Sequence, residues 1–153
     1  MQDLQRVFPP IIELIPHREP MILVDKISEI QDLSCTSTFR ISSDCIFVDS
    51  ETHTFSEFGL IENIAQTALS FIKIFLKEKS ESQSEQQFLG YISSIQQLEN
   101  YGKAYLEDEL LTHIQVELAL NSEKYKICNI LGVIEVKEKV IFKMTSKMVM
   151  HLV

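Results

Sequence analysis

The chain has 153 residues, of which 45% are hydrophobic and 24% charged, and its formal net charge is −8. This length suits one domain with a sizeable apolar core, and the composition excludes a disordered chain. A surface this acidic, with scattered lysines, excludes nucleic acid as a partner, because phosphate binding needs a basic surface. Residues 1–6 lack the basic start and apolar run of a secretory signal, and the three cysteines have no metal-type spacing. We therefore expect a single domain over residues 1–153, located in the cytoplasm and not in a membrane.

The first third of the chain is predicted to form a short helix and two strands. Pro9 suits the first turn of a helix, and Pro16 ends the apolar segment that follows. Residues 21–33 and 34–41 have the aliphatic, Thr and Phe content of strands, with Asp32 at the turn between them. This pattern predicts a β-hairpin.

A long helix is predicted next, after a polar loop over residues 42–53. Residues 54–57 have capping-box spacing, with a hydroxyl at Thr54 and a carboxylate at Glu57. From Phe58 to about Lys77 the apolar residues cover more than one narrow stripe, so this helix should be largely buried. Residues 77–87 contain no apolar residue and are predicted to form a mobile loop, poorly ordered over 80–87.

Four further strands are predicted, at residues 88–98, 110–120, 125–137 and 140–150, because each contains stretches of period-two alternation. The short connections between the last three favour antiparallel pairing. The chain has no glycine-rich phosphate loop and no repeat of fixed period. The order of elements predicts an α+β fold, in which one antiparallel sheet wraps around a long central helix.

Two segments resemble motifs of the 3-hydroxyacyl-carrier-protein dehydratases of fatty-acid synthesis. The first is Pro16-His17-Arg18-Glu19-Pro20, followed by an aliphatic segment and Asp25. The second is Glu62-Asn63-Ile64-Ala65-Gln66, which is similar to the central-helix motif in which the active-site Glu precedes x-x-Ala-Gln. The resemblance covers almost the whole chain. It implies a hotdog fold and neither a metal nor an organic cofactor.

The chain departs from this family at the active-site histidine. In the family this histidine lies in a Gly-His-Phe-Pro segment fourteen residues before the Glu, and the matching residue here is Val48. The nearest histidine in the loop is His53, nine residues before Glu62. A branch of dehydratase-like proteins from aryl-polyene and flexirubin-type pigment clusters keeps the Ala-Gln helix and shortens the loop. The chain resembles that branch more closely.

The resemblance implies a set of catalytic and substrate-binding residues. Glu62 would be the acid that protonates the departing 3-hydroxyl, and His53 the base that removes the proton alpha to the thioester carbonyl. Phe58 and Gly59 would bind the substrate, because the start of the helix offers free backbone N–H groups that can polarise a carbonyl. Gln66, in the Ala-Gln motif, is a third candidate for substrate binding. For His17 the resemblance implies a structural role.

Each of these residues also has a structural interpretation. Glu62 belongs to a series at helical spacing that could form the exposed stripe of the helix: Glu62, Gln66, Ser70, Lys73 and Lys77. His53 could be an exposed loop histidine. Gly59 could relieve crowding against the sheet.

The expected function is that of a dehydratase-like protein that converts 3-hydroxyacyl thioesters of an acyl carrier protein or coenzyme A to 2-enoyl thioesters. Two alternatives are a non-catalytic hotdog subunit that pairs with an active dehydratase, and a hotdog thioesterase in which Glu62 activates water. The edge of a curved sheet favours a homodimer or a hotdog heterodimer. In such a dimer His53 of one subunit and Glu62 of the other should approach within roughly 8 Å.

Overall fold

The computed structural model describes residues 6–79 and 87–153, which form two helices and six strands. The helices are α1 (Ile11–Leu14) and α2 (Glu57–Lys79), and the strands are β1 (Lys26–Gln31), β2 (Ser34–Arg40), β3 (Phe88–Asn100), β4 (Glu109–Asn121), β5 (Tyr125–Val136) and β6 (Lys139–Leu152). The predicted order of elements is confirmed. The loop predicted to be poorly ordered lies, except for Gln87, outside the described residues.

The six strands form one antiparallel sheet in the order β1-β2-β4-β5-β6-β3. Helix α2 contacts all six strands, so the sheet curves around it. In β4 the buried residues Leu110, Thr112 and Ile114 alternate with more exposed neighbours, as a strand with one packed face requires. This arrangement confirms the predicted α+β hotdog fold.

Helix α2 begins at a different cap from the predicted one. Thr54 pairs with Tyr105, and Phe55 with Val48, in isolated β-bridges. These pairs hold the backbone extended, so helical geometry starts only after Ser56. The Phe58 N–H donates to Ser56 Oγ at 3.2 Å, which makes Ser56, and not Thr54, the capping residue.

The long helix is a core element. By length and composition α2 could cross a membrane, but 67% of its most apolar window is buried inside the protein. The core helix of a globular domain has the same composition, because it must be apolar on most of its faces.

Helix α2 packs closely against the sheet at Gly132 on β5. A Cβ at this position would lie 2.6 Å from Ile64 Cγ2 and 2.7 Å from Ile64 Cδ1, closer than packed carbon atoms approach. Gly132→Ala should therefore lower the free energy of unfolding by about 1–3 kcal/mol, the usual cost of overpacking. Urea unfolding would measure the change. Gly102→Ala is the matched control, since its Cβ would sit 3.4 Å from Ile141 Cγ2 and should cost little.

Candidate functional site

Two buried amides of α2 hold the amino-terminal segment against the helix. Gln66 Oε1 accepts from the Leu23 N–H at 2.8 Å, and Gln66 Nε2 donates to the Met21 carbonyl at 2.7 Å. Asn63 Nδ2 donates to the Leu23 carbonyl at 2.7 Å, and both amide side chains are fully buried. The two motifs noted in the sequence therefore meet in space, although the bonded residues are forty or more positions apart.

Glu62 lies beside this junction, next to two nitrogen atoms. Its Oε1 accepts from Gln66 Nε2 at 3.0 Å and lies 3.1 Å from His17 Nε2. The side chains of His17 and Glu62 are 24% and 30% exposed. The carboxyl group is therefore half-buried but still reachable from solvent, which suits a group that exchanges a proton with a ligand.

The exposed-stripe interpretation of this helix face holds only for its later turns. Gln66 and Ser70 are fully buried, and Ser70 Oγ donates to the Gln66 carbonyl at 2.8 Å. Lys73 and Lys77 are exposed, and Lys73 Nζ donates to the Glu13 carbonyl at 2.6 Å. Glu62, Gln66 and Ser70, the first three residues of the series, therefore form a buried and half-buried polar cluster.

His53 lies on the exposed loop that precedes α2, in a left-handed backbone conformation with φ 59°. Its N–H donates to the Asp49 carbonyl at 2.9 Å, and its carbonyl accepts from the Leu106 N–H at 2.8 Å. The backbone N–H groups of Thr52 and Glu51 hold the pKa of the nearby Asp49 carboxyl below its usual value. These hydrogen bonds fix the backbone of the loop. Within one chain, however, the partner of Glu62 is His17, and the pairing of His53 with Glu62 across a dimer stays a prediction.

The sequence does not predict the contact between His17 and Glu62, because their spacing carries no local signal. His17 lies in the extended segment after α1, where the Arg18 guanidinium donates to the carbonyls of Ile15 and His17 at 3.1 and 2.7 Å. Only the joint presence of the Pro-His-Arg and Ala-Gln motifs could have suggested the contact. Neither motif by itself predicts it.

Phe58 and Gly59 occupy the first turn of α2. The Phe58 side chain is 75% exposed, whereas Gly59 is buried. A Cβ at Gly59 would lie 2.5 Å from the Phe55 ring, so close packing accounts for the glycine. Substrate binding by these two residues stays a prediction.

The three cysteines are poor nucleophiles. Burial raises the pKa of Cys35 to about 12 and raises the pKa of Cys45 and Cys128 as well, because a thiolate loses its hydration. Cys45 is partly exposed and the other two are buried. We expect alkylation of the native chain to begin at Cys45 and to accelerate as the pH rises. Mass spectrometry of the labelled protein would test this, and faster labelling of Cys35 or Cys128 would contradict it.

Within residues 6–79 and 87–153, no three His, Cys, Asp or Glu side chains cluster as metal ligands would. The Glu62 site brings together a carboxyl, an imidazole and an amide.

Comparisons with known proteins agree with this architecture. The dehydratase heterocomplex ApeI:P from Xenorhabdus doucetiae has a similar fold, with a TM-score of 0.71 and 20% identity over 96% of this chain and 93% of that chain. A sigma28-regulated virulence protein from Campylobacter jejuni follows with a TM-score of 0.62 and 16% identity, covering 88% and 80%. A hypothetical thioesterase with coenzyme A from Streptococcus pneumoniae has a TM-score of 0.55 and 12% identity, covering 84% of each chain. At these identities the likeness shows the hotdog fold alone.

The comparison of sequences is more specific. No curated protein sequence matches the chain significantly. Residues 9–149, which include both motifs and the whole sheet except the end of β6, match the model of the ApeP-like family, described as ApeP dehydratase. The chain therefore belongs to the ApeP-like dehydratase family.

Proposed function

We propose that the chain is a subunit of a dehydratase that converts 3-hydroxyacyl thioesters to 2-enoyl thioesters, with Glu62 as the acid. The observation that carries this proposal is the Glu62 carboxyl, which is half-buried near the start of the core helix. One of its oxygens accepts from Gln66 and lies 3.1 Å from His17 Nε2. A positioned carboxyl that stays accessible can deliver a proton to a leaving group. Membership of a dehydratase family supports the same reaction class.

The proposed reaction needs one acid and one base. The base takes the proton from C2 of the acyl chain, and the electron pair of that C–H bond becomes the C2–C3 double bond. The C3–O bond breaks, and the hydroxyl takes the proton of Glu62 and leaves as water. Glu62 is then a carboxylate and the base carries a proton. Exchange with solvent restores both groups.

The base is proposed to be His53 of a second subunit. This assignment follows from the resemblance. It is supported by two observations: backbone hydrogen bonds fix the loop, and His53 is exposed, so a second chain can contact it. The acyl chain is proposed to be bound as a thioester to an acyl carrier protein or to coenzyme A.

A second candidate is a subunit that depends on a different hotdog chain for its histidine. The observation that favours it is the solved ApeI:P dehydratase heterocomplex, whose fold resembles this chain. The segment in which the fatty-acid dehydratases carry their histidine has Val48 instead, which supports the same candidate.

Among the described residues no strand pairs with the outer edge of β3, and this free edge supports association through the sheet. β3 ends the sheet next to β6, and its residues Tyr91, Ile95 and Leu98 are exposed. An apolar edge strand is a surface that a second strand can cover. We expect light scattering at micromolar concentration to give the mass of two chains, and the mass of one chain would contradict the homodimer.

Turnover tests the proposal directly. The purified chain is incubated with a 3-hydroxyacyl thioester, first alone and then with an ApeI-type hotdog subunit, and the products are identified by mass spectrometry. Enoyl thioester from the chain alone supports the first candidate. Enoyl thioester only after the addition supports the second. Free acid would favour a thioesterase, and no product under either condition would contradict the dehydratase assignment.

A further inference from the structure

We propose that His17 is a positioning residue for Glu62. Together with Gln66 it holds the carboxyl through Oε1, and this leaves Oε2 as the oxygen that carries the transferred proton. The inference rests on the proposed function for the identity of the reaction. The contact itself is a property of the chain and can be tested without substrate.

The orientation of the Gln66 amide follows from its backbone partners. The Leu23 N–H can only donate, so the atom 2.8 Å from it must be the amide oxygen of Gln66. The Met21 carbonyl can only accept, so the atom 2.7 Å from it must be the amide nitrogen. The same nitrogen lies 3.0 Å from Glu62 Oε1. Oε1 is therefore a hydrogen-bond acceptor.

The same contacts indicate which nitrogen of the His17 ring carries a hydrogen. Because Oε1 accepts from Gln66, a hydrogen on His17 Nε2, 3.1 Å away, would lie beside a negatively charged acceptor and is favoured there. Nδ1 of the ring is buried and has no partner among the described residues. A hydrogen on Nδ1 would be an unpaired buried donor, so the favoured tautomer carries its hydrogen on Nε2 alone.

Two nitrogen atoms beside one oxygen make the two oxygens of Glu62 unequal. A proton on Oε1 would have to displace one of the N–H groups, whereas no donor among the described residues occupies Oε2. The proton of the acid is therefore carried on Oε2. After it leaves, the N–H groups of His17 and Gln66 stabilise the negative charge that remains.

Two substitutions of His17 separate positioning from proton transfer. His17→Gln keeps an N–H donor near the position of Nε2 but cannot act as an acid or base at neutral pH. His17→Leu fills similar space without a donor. Positioning predicts that the Gln variant keeps kcat within about threefold, while the Leu variant loses about tenfold to hundredfold, the usual effect of one hydrogen bond to a charged group. His151→Gln, on β6, is the matched control and should leave kcat unchanged.

Equal losses in the Gln and Leu variants would overturn the inference, because His17 would then transfer a proton itself. Full activity of the Leu variant would overturn it as well. Urea unfolding compares the stability of both variants with that of the wild type. If the Leu variant does not fold, the inference is tested by the activity of the Gln variant and by the NMR spectrum of the His17 ring.

The ring spectrum provides a readout that needs no turnover. In the 15N-labelled wild-type chain, the His17 resonances should show a protonated Nε2 and an unprotonated Nδ1. They should shift when Glu62 is replaced by Ala and stay in place with Glu78→Ala, which changes an exposed residue of the same helix. Unmoved resonances in Glu62→Ala would overturn the inference even in an active enzyme. A shift without wild-type turnover, alone or with an ApeI-type subunit, would support the contact and contradict the proposed function.

Discussion

Replacement of Glu62 by Gln is expected to reduce dehydratase turnover by about 10²–10⁴-fold, the usual contribution of a general acid. The substitution nearly preserves the shape of the side chain, and its amide oxygen can still accept from His17 and Gln66, which contact Oε1 in the wild type. An amide nitrogen would then occupy the position of Oε2, and it cannot deliver a proton to the 3-hydroxyl. Initial rates with a 3-hydroxyacyl thioester, measured under the condition that supports wild-type turnover, would give the effect.

The loss should appear in kcat more than in KM, because the substrate contacts remain while the proton donor is lost. Glu78→Gln is the matched control: it makes the same chemical change near the end of α2, at an exposed position. Undiminished turnover in Glu62→Gln would eliminate Glu62 as the acid.

The largest effect on stability is expected from Asn63→Leu. The Asn63 side chain is fully buried, donates to the Leu23 carbonyl at 2.7 Å and accepts from Thr112 Oγ1 at 2.6 Å. Leucine fills a similar space but leaves two buried polar groups without a partner. Each such group costs about 1–3 kcal/mol, so the free energy of unfolding should fall by about 2–6 kcal/mol. Typical domains have only about 5–15 kcal/mol in total, and urea unfolding would show the change clearly.

Adding Thr112→Val to the Asn63→Leu variant tests the cause of the lost stability. If the loss comes from the orphaned hydroxyl, replacing that hydroxyl by a methyl group should recover part of it, because removing both partners costs less than removing one. The double-mutant cycle then gives the coupling between the two side chains. Strict additivity of the two substitutions would show that their hydrogen bond contributes little.

Local patterns in the chain were sufficient to predict the elements and their order. Period-two alternation marked the four later strands, and an apolar segment too broad for one stripe marked α2, because both signals arise within a single element. The motif around Glu62 and Gln66 lies where the helix contacts the amino-terminal segment, and the catalytic role of Glu62 stays a prediction. The helix cap was predicted wrongly at Thr54, whereas Ser56 caps the helix. The bridges Val48–Phe55 and Thr54–Tyr105, which displace the cap, join segments that no local pattern connects.

The composition of the site depended on tertiary contacts. Gln66 and Ser70 have the spacing of an exposed stripe, and only the segment that packs over them makes them interior residues. His17 reaches Glu62 because Gln66 and Asn63 bind residues 21–23 to α2, across forty or more residues of chain. The sequence by itself determined the periodicity, the fold class and the candidate acid, all of which depend on neighbours in the chain. Which histidine contacts that acid was decided by the packing of the amino-terminal segment on the helix, because a hydrogen bond needs its two atoms about 3 Å apart and only the folded chain brings them there.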